Sequence, residues 1–202
     1  MKKLLMTIGL TVFCGALIQA QNLTEAELTK GVQVLERSRA QLYRVTAGLT
    51  PEQWNFKPAT NKWSIAQVVE HLAAAEDFFL ANMETNIMKA PPREKTADLA
   101  ALDAFVLQAV ADRSKKVQAP EPLQPVNRFG SPKDSLQHFR MSRSKTIQFL
   151  KETQNLRGHA TDSPLGKQLD AYEWLLFAAA HTERHIKQIE EIEADPNFPK
   201  KS

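Results

Sequence analysis

The chain has one cysteine, Cys14, and it lies inside an N-terminal apolar run. Without that run the protein has no thiol. Disulfides, thiolate nucleophiles and thiolate metal ligands are therefore excluded, and any metal must be held by nitrogen and oxygen. Charge of one sign is also missing. Removing Lys2 and Lys3 lowers the formal net charge from +3 to +1. With no basic helix stripe, this argues against a nucleic-acid partner. Internal repeats, low-complexity runs and convincing strand alternation are absent.

Three catalytic signatures are missing as well. A zincin carries HExxH, but here the order is His181-Thr182-Glu183-Arg184-His185. Glu183 falls about 200° around a helix from His181, so it faces away from a shared ligand face. Di-iron bundles use Glu-x-x-His. The residues three before the five histidines are Val68, Ser135, Leu156, Ala178 and Thr182, and none is acidic. No GxSxG elbow exists to carry a serine nucleophile.

The N-terminus reads as a secretory signal. Lys2 and Lys3 precede an apolar run from Leu4 to Ile18, and Ala20 is a small residue before a plausible cut. Phe13 is a poor fit to the small residue expected before a lipidated cysteine. Residues 1–20 are therefore expected to be removed, giving an exported protein, periplasmic or secreted. The alternative is a membrane anchor formed by the same segment, which is short for a span. Residues 21–202 are enough for one domain with a substantial core.

The rest of the chain reads as helical. Capping boxes pair Thr24 with Glu27, Ser64 with Gln67, and Asp170 with Glu173. Each precedes a stripe with a 3.6-residue period. The first helix is expected over 24–49 and the second from Ser64 toward the Pro91-Pro92 stop. Another starts at Ser131-Pro132 and runs to about Thr153, and the last spans Leu169 to Asp195. Thr50-Pro51-Glu52-Gln53 starts a single turn, and residues 96–117 suggest a shorter helix. Residues 118–132 and 155–169 read as loops. The fold class is thus all-α: a four-helix bundle with one shorter extra helix. Arg140 and Arg143 fall on the apolar stripe of their helix, and their heads are expected to reach water. Glu76 and Asp77 read as solvated charges.

His181 and His185 stand four residues apart, on one face with Trp174, Ala178, Ile189 and Ile192. Two such imidazoles can share a metal ion, although the spacing alone more often belongs to polar core or surface histidines. His71 lies two turns into the second helix beside Val68, Leu72 and Ala75. His138 and His159 fall on a helix edge and a loop, and solvent exposure is the simpler expectation for both. Gln67 reads as a capping residue, with orientation of water or an imidazole as its functional alternative.

Two stretches, NKWSIAQVVEHLAAAEDFF (61–79) and WLLFAAAHTERHIKQIEEI (174–192), give the chain a resemblance to the DinB-like (DNA-damage-inducible) superfamily. The matching residues are Trp63, Ser64, His71, His181, His185, Ile186, Gln188 and Ile189. The resemblance implies a four-helix bundle of the DinB-like type. It also implies one divalent metal (Zn, Ni or Fe) held by His71, His181 and His185. Three imidazoles leave positions open for water or substrate, as a catalytic site requires.

The resemblance further implies a metal-dependent hydrolase or thiol transferase acting on a small molecule. The expected export disfavours thiol transfer, since low-molecular-weight thiols are mainly cytosolic. The alternative is a non-catalytic metal-binding or structural bundle. No catalytic base stands out in the sequence, and exposed apolar helix faces could support a homodimer.

Overall fold

The computed structural model describes residues 22–93 and 98–200. The expected signal segment and its cleavage point lie outside them. Four long helices form the frame: α1 (Glu25–Val45), α3 (Ile65–Thr85), α5 (Pro132–Glu152) and α6 (Ala171–Glu193). A single turn, α2 (Pro51–Asn55), follows α1, and the shorter α4 (Leu99–Ala111) lies between α3 and α5. α1 touches α5 and α6, and α3 touches the same two, so the order around the bundle is α1, α5, α3, α6. α4 packs along the outside of α6. Among the described residues, no helix is long and apolar enough to cross a membrane.

The helix starts follow from the sequence. Thr24, Thr50, Ser64, Ser131 and Asp170 each accept from the amide three residues on, and the side chain at that position returns the bond. The ends differ from expectation in three places. α3 stops at Thr85, ahead of Pro91-Pro92, and a separate 3-10 turn (Ile87–Lys89) fills the gap. α1 stops at Val45 rather than 49, because the Thr46 hydroxyl donates back to the Leu42 carbonyl and Gly48 turns left-handed at φ 64°. Val45 and Leu49 still pack on the core, so the apolar period outlasts the helix. α4 stops at Ala111. The Asp112 carboxylate accepts from both the Ser114 amide and hydroxyl, a local turn that competes with another helical turn.

The expected loop at 155–169 contains a small antiparallel hairpin instead. β1 (Ala160–Asp162) pairs with β2 (Gln168–Asp170), with Thr161 opposite Leu169. Strands of three residues are too short to show alternation. Arg93 donates its amide to the Gly158 carbonyl at 2.8 Å, which fastens this region to the segment after α3.

The core holds two charge networks, the first of which corrects the sequence reading. Arg143 is fully buried, and its head does not reach water. Its guanidinium grips Glu76 at 2.7 and 2.8 Å, and Glu76 is equally hidden rather than solvated. Arg143 also donates to Ser38 and the Leu35 carbonyl on α1, and to Thr182 and the Ala178 carbonyl on α6. One side chain on α5 therefore ties all four long helices. Arg140, by contrast, is exposed as expected. In the second network, buried Arg157 holds Asp103 of α4, Glu27 of α1, and Asp170 and Glu173 at the start of α6. Arg93 adds a second cation to Asp170 and Glu173. The partners offset part of the desolvation cost that each buried charge carries.

Candidate metal centre

Helices α3 and α6 meet along part of their length, and each presents histidine at the meeting point. Ser64 caps α3 and sets its phase, which turns His71 inward with Val68 and Leu72. Asp170 does the same for α6, placing His181 and His185 one turn apart on the inner face. The Nε2 atoms of His71 and His181 are 3.2 Å apart. One ring nitrogen from each of the three histidines lies within 4.8 Å of the others. His71 and His185 are buried, and His181 is half-buried.

Two of the rings are oriented by neutral acceptors. His71 Nδ1 donates to the Leu123 carbonyl at 2.8 Å. A carbonyl only accepts, so the proton sits on Nδ1 and Nε2 carries a free lone pair in the neutral ring. His185 Nδ1 lies 2.8 Å from Gln188 Oε1, in the same sense. Leu123 closes a short 3-10 turn (Glu121–Leu123) in the α4–α5 connection. That connection is held down beside the site, because the buried Glu70 carboxylate accepts the amides of Val126 and Arg128 at 2.8 and 2.9 Å.

Aromatic rings wall the group. Trp63 packs on His71 at 5.1 Å between centroids, and Phe79 meets His181 edge-on at 5.2 Å. Phe177 lies parallel to His181 at 6.4 Å. Burial is the first cause holding all three imidazoles below the ordinary histidine pKa, strongly so for His181 and His185. The neighbouring histidines add to the effect on His181 and His185. At neutral pH the rings are therefore uncharged, the state a metal ligand requires.

This donor set fits a divalent ion. Two ligand nitrogens on a tetrahedral ion at 2.0–2.1 Å stand about 3.3 Å apart, close to the spacing of His71 and His181. Three neutral imidazoles suit Zn, Ni or Fe better than the hard cations that prefer oxygen.

The other two histidines lie elsewhere. His138 Nε2 bonds Asp77 at 2.6 Å and its ring stacks on Phe129 at 4.2 Å. Asp77 also accepts from Ser142, so it is a bridging group between α3 and α5 rather than a free charge. His159 is half-buried, not exposed: its Nδ1 donates to the Ala90 carbonyl at 2.6 Å. Gln67 keeps its capping role, with its Oε1 on the Ser64 amide. Glu183 faces away from the histidines and pairs with Arg37 of α1.

Sequence reasoning missed the supports. Leu123 acts through its backbone, which leaves no side-chain signal. Gln188 belonged to the matching stretch but had no role, although its position three after His185 places it one turn on along the same face.

The sequence matches the model of the DinB superfamily over residues 34–189. It is 27% identical over 164 residues to the uncharacterized protein YuaE of Bacillus subtilis (strain 168), covering 80% of this chain and 96% of that protein. The fold is similar to that of YfiT from Bacillus subtilis, described as "a probable metal-dependent hydrolase with an unusual four-helix bundle topology". That match has a TM-score of 0.55 at 17% identity and covers 89% of this chain and 93% of that one. The chain belongs to the DinB superfamily.

Proposed function

We propose that this protein binds one divalent transition metal through His71, His181 and His185 and acts as a metal-dependent hydrolase on a small molecule. The observation that carries this reading is the convergence of three uncharged imidazoles, two of them already oriented by partners on Nδ1. The YfiT description agrees in reaction class, and the export expected from residues 1–20 favours hydrolysis over thiol transfer.

A divalent ion held by His71, His181 and His185 would supply Lewis acidity toward a carbonyl or phosphoryl oxygen and toward water. The chain's own residues supply the rest. His71, His181 and His185 offer nitrogen donors without negative charge, which would leave the charge of a bound ion unneutralised. The Leu123 carbonyl and the Gln188 carboxamide hold two rings in place and are themselves neutral. Neutral supports raise ligand basicity less than carboxylates would, which preserves the ion's Lewis acidity. Trp63, Phe79 and Phe177 restrict water around the rings and lower the local dielectric, which strengthens the field acting on a substrate.

A second reading is a metal-binding bundle without turnover. It is favoured by the depth of the site, where only His181 is more than slightly exposed. Elemental analysis of protein purified without added chelator tests the common part and should give one transition metal per chain. Ester, amide and phosphate substrates, each run with metal-stripped protein as control, separate the two readings. Protein that takes up neither Zn, Ni nor Fe would remove both.

A further inference from the structure

The three histidines do not solve the same problem in the same way. A neutral imidazole has two tautomers, and ligation through Nε2 requires the proton on Nδ1. His71 has no choice, because the Leu123 carbonyl only accepts. His185 faces a carboxamide, which can accept through its oxygen or, turned over, donate through its nitrogen. Turned over, Gln188 would favour the tautomer with the proton on Nε2, where it blocks ligation.

A second neighbour of Gln188 favours the first orientation. Arg113 Nη1 stands 3.5 Å from the same Oε1 that faces His185. A guanidinium has donors only, so it favours oxygen at that place and disfavours the amide nitrogen. Arg113 is itself fixed by a two-point grip on Glu191, with Nε to Oε1 at 2.7 Å and Nη2 to Oε2 at 2.6 Å. The backbone that carries Arg113 is docked on α6 as well. Lys187 donates to the Ala111 carbonyl at 3.1 Å, and Arg184 donates to the carbonyls of Asp112 and Lys115. His185, Gln188 and Glu191 follow one another at three-residue steps along α6. The segment just after α4 thus reaches the histidine group along one face of α6.

We propose that Gln188 and Arg113 are positioning residues: together they hold His185 with Nδ1 protonated and Nε2 free. The inference rests on the metal-centre reading for its use, but the proton's location can be measured without metal.

The experiment uses the mature protein, its histidines labelled with 15N, in metal-free form. Long-range 1H–15N correlations report the tautomer of each ring. Zinc affinity is then measured by chelator competition, and the cobalt form is examined by its electronic spectrum. In the parent, His185 should carry its proton on Nδ1. Gln188→Met keeps the side-chain volume and removes the acceptor. It should shift His185 toward the other tautomer, lower zinc affinity by about 10- to 100-fold, and alter the cobalt bands. Gln188→Glu, which can only accept, should restore the Nδ1 proton and recover affinity to within a few-fold. Arg113→Met should give a smaller shift of the same sign, with about a 3- to 10-fold loss on the same basis. A purely structural role would lower the melting temperature without moving the tautomer or being rescued by glutamate.

The inference is overturned if Gln188→Met leaves both the His185 tautomer and zinc affinity unchanged. Should Gln188→Met fail to fold, the partly exposed Arg113→Met decides by the same two readouts. If the parent takes up no zinc or cobalt, the metal-centre reading falls, and the NMR arm still decides where the proton sits.

Discussion

The Nε2 atoms of His71 and His181 stand 3.2 Å apart, although 110 residues separate them in sequence. That spacing is close to the roughly 3.3 Å between two nitrogen ligands on one tetrahedral ion. The packing of α3 against α6, not a local motif, brings the two rings together.

Single alanine substitutions should follow this geometry. His71→Ala, His181→Ala and His185→Ala each leave two imidazoles, which hold a divalent ion poorly in water. Zinc affinity should fall by at least about 100-fold in each, read by chelator competition. His138→Ala and His159→Ala should stay within about 2-fold of the parent, since their partners are Asp77 and the Ala90 carbonyl. A His71→Ala protein that binds as tightly as the parent would sink the site.

The legible part of the molecule was whatever repeats or sits at fixed offsets. Ser64 with Gln67 and Asp170 with Glu173 gave two helix starts at the right residues, because a capping box is a local rule. The i, i+4 pair put His181 and His185 on one face for the same reason. Pairing those two with His71 came from the family resemblance, since no local rule joins α3 to α6. What stayed hidden depends on distant partners. Arg143 lies on an apolar stripe, and nothing local says that Glu76, Ser38 and Thr182 will converge on it. Glu76 reads as a surface charge until that partner is known. The Leu123 carbonyl is invisible because every residue has one.

Arg143→Met should destabilise the fold severely. The substitution strands Glu76 in the core without its cation and leaves four other acceptors short of a donor. Breaking a buried pair from one side costs about 3–5 kcal/mol. Urea unfolding should show a loss in that range. Replacing both partners, as in Arg143→Met with Glu76→Leu, should recover part of it, because the stranded charge is gone. A single-variant loss below about 1 kcal/mol would mean that water reaches this network.

Gly31 should resist enlargement. A Cβ there would stand 2.9 Å from Leu150 Cδ2 and 3.0 Å from Tyr172 Cε2, where α1 meets α5 and α6. Leu150 can turn aside, but Tyr172 cannot. Its hydroxyl donates to the Glu27 carbonyl at 2.7 Å, and the Arg157 guanidinium lies 4.3 Å over its ring. Alanine in mid-helix gains about 1 kcal/mol over glycine, whereas overpacking costs about 1–3 kcal/mol. Gly31→Ala should therefore lose roughly 1 kcal/mol in chemical denaturation. A gain in stability would show that the ring does shift.

The expected signal segment makes a simple prediction about mass. Protein recovered from outside the cytoplasm should begin at Gln21 or its cyclised form, as the lysines, the short apolar run and Ala20 imply. Intact-mass spectrometry decides it. Lys2 retained in the exported species would point to an uncleaved anchor instead.

The acidic cluster at the start of α6 should give the protein a measurable pH dependence. Burial first, and then the charge of Asp170, push the Glu173 carboxyl up to about 7. Asp170 is raised too, by burial, against the pull of Arg157 and Arg93. A carboxyl raised on folding binds its proton more tightly in the folded state. Its contribution therefore favours folding at low pH and is lost as pH rises from about 4.5 through 7. Glu173→Gln keeps an oxygen for the Asp170 amide, which now sits 2.8 Å from a Glu173 carboxylate oxygen. It also removes the negative charge beside Asp170. At pH 5, where Glu173 is largely protonated, parent and variant should melt within a few degrees of each other. At pH 8 the variant should be the more stable, by on the order of 2 kcal/mol. For a chain of this size that is several degrees in melting temperature. The Arg93 and Arg157 contacts work in the opposite direction, because they stabilise the ionised form. If they outweigh burial, the variant will lose stability as pH rises, and the sign assigned to Glu173 will be wrong. Scanning calorimetry of both proteins at pH 5, 6.5 and 8 distinguishes the two outcomes.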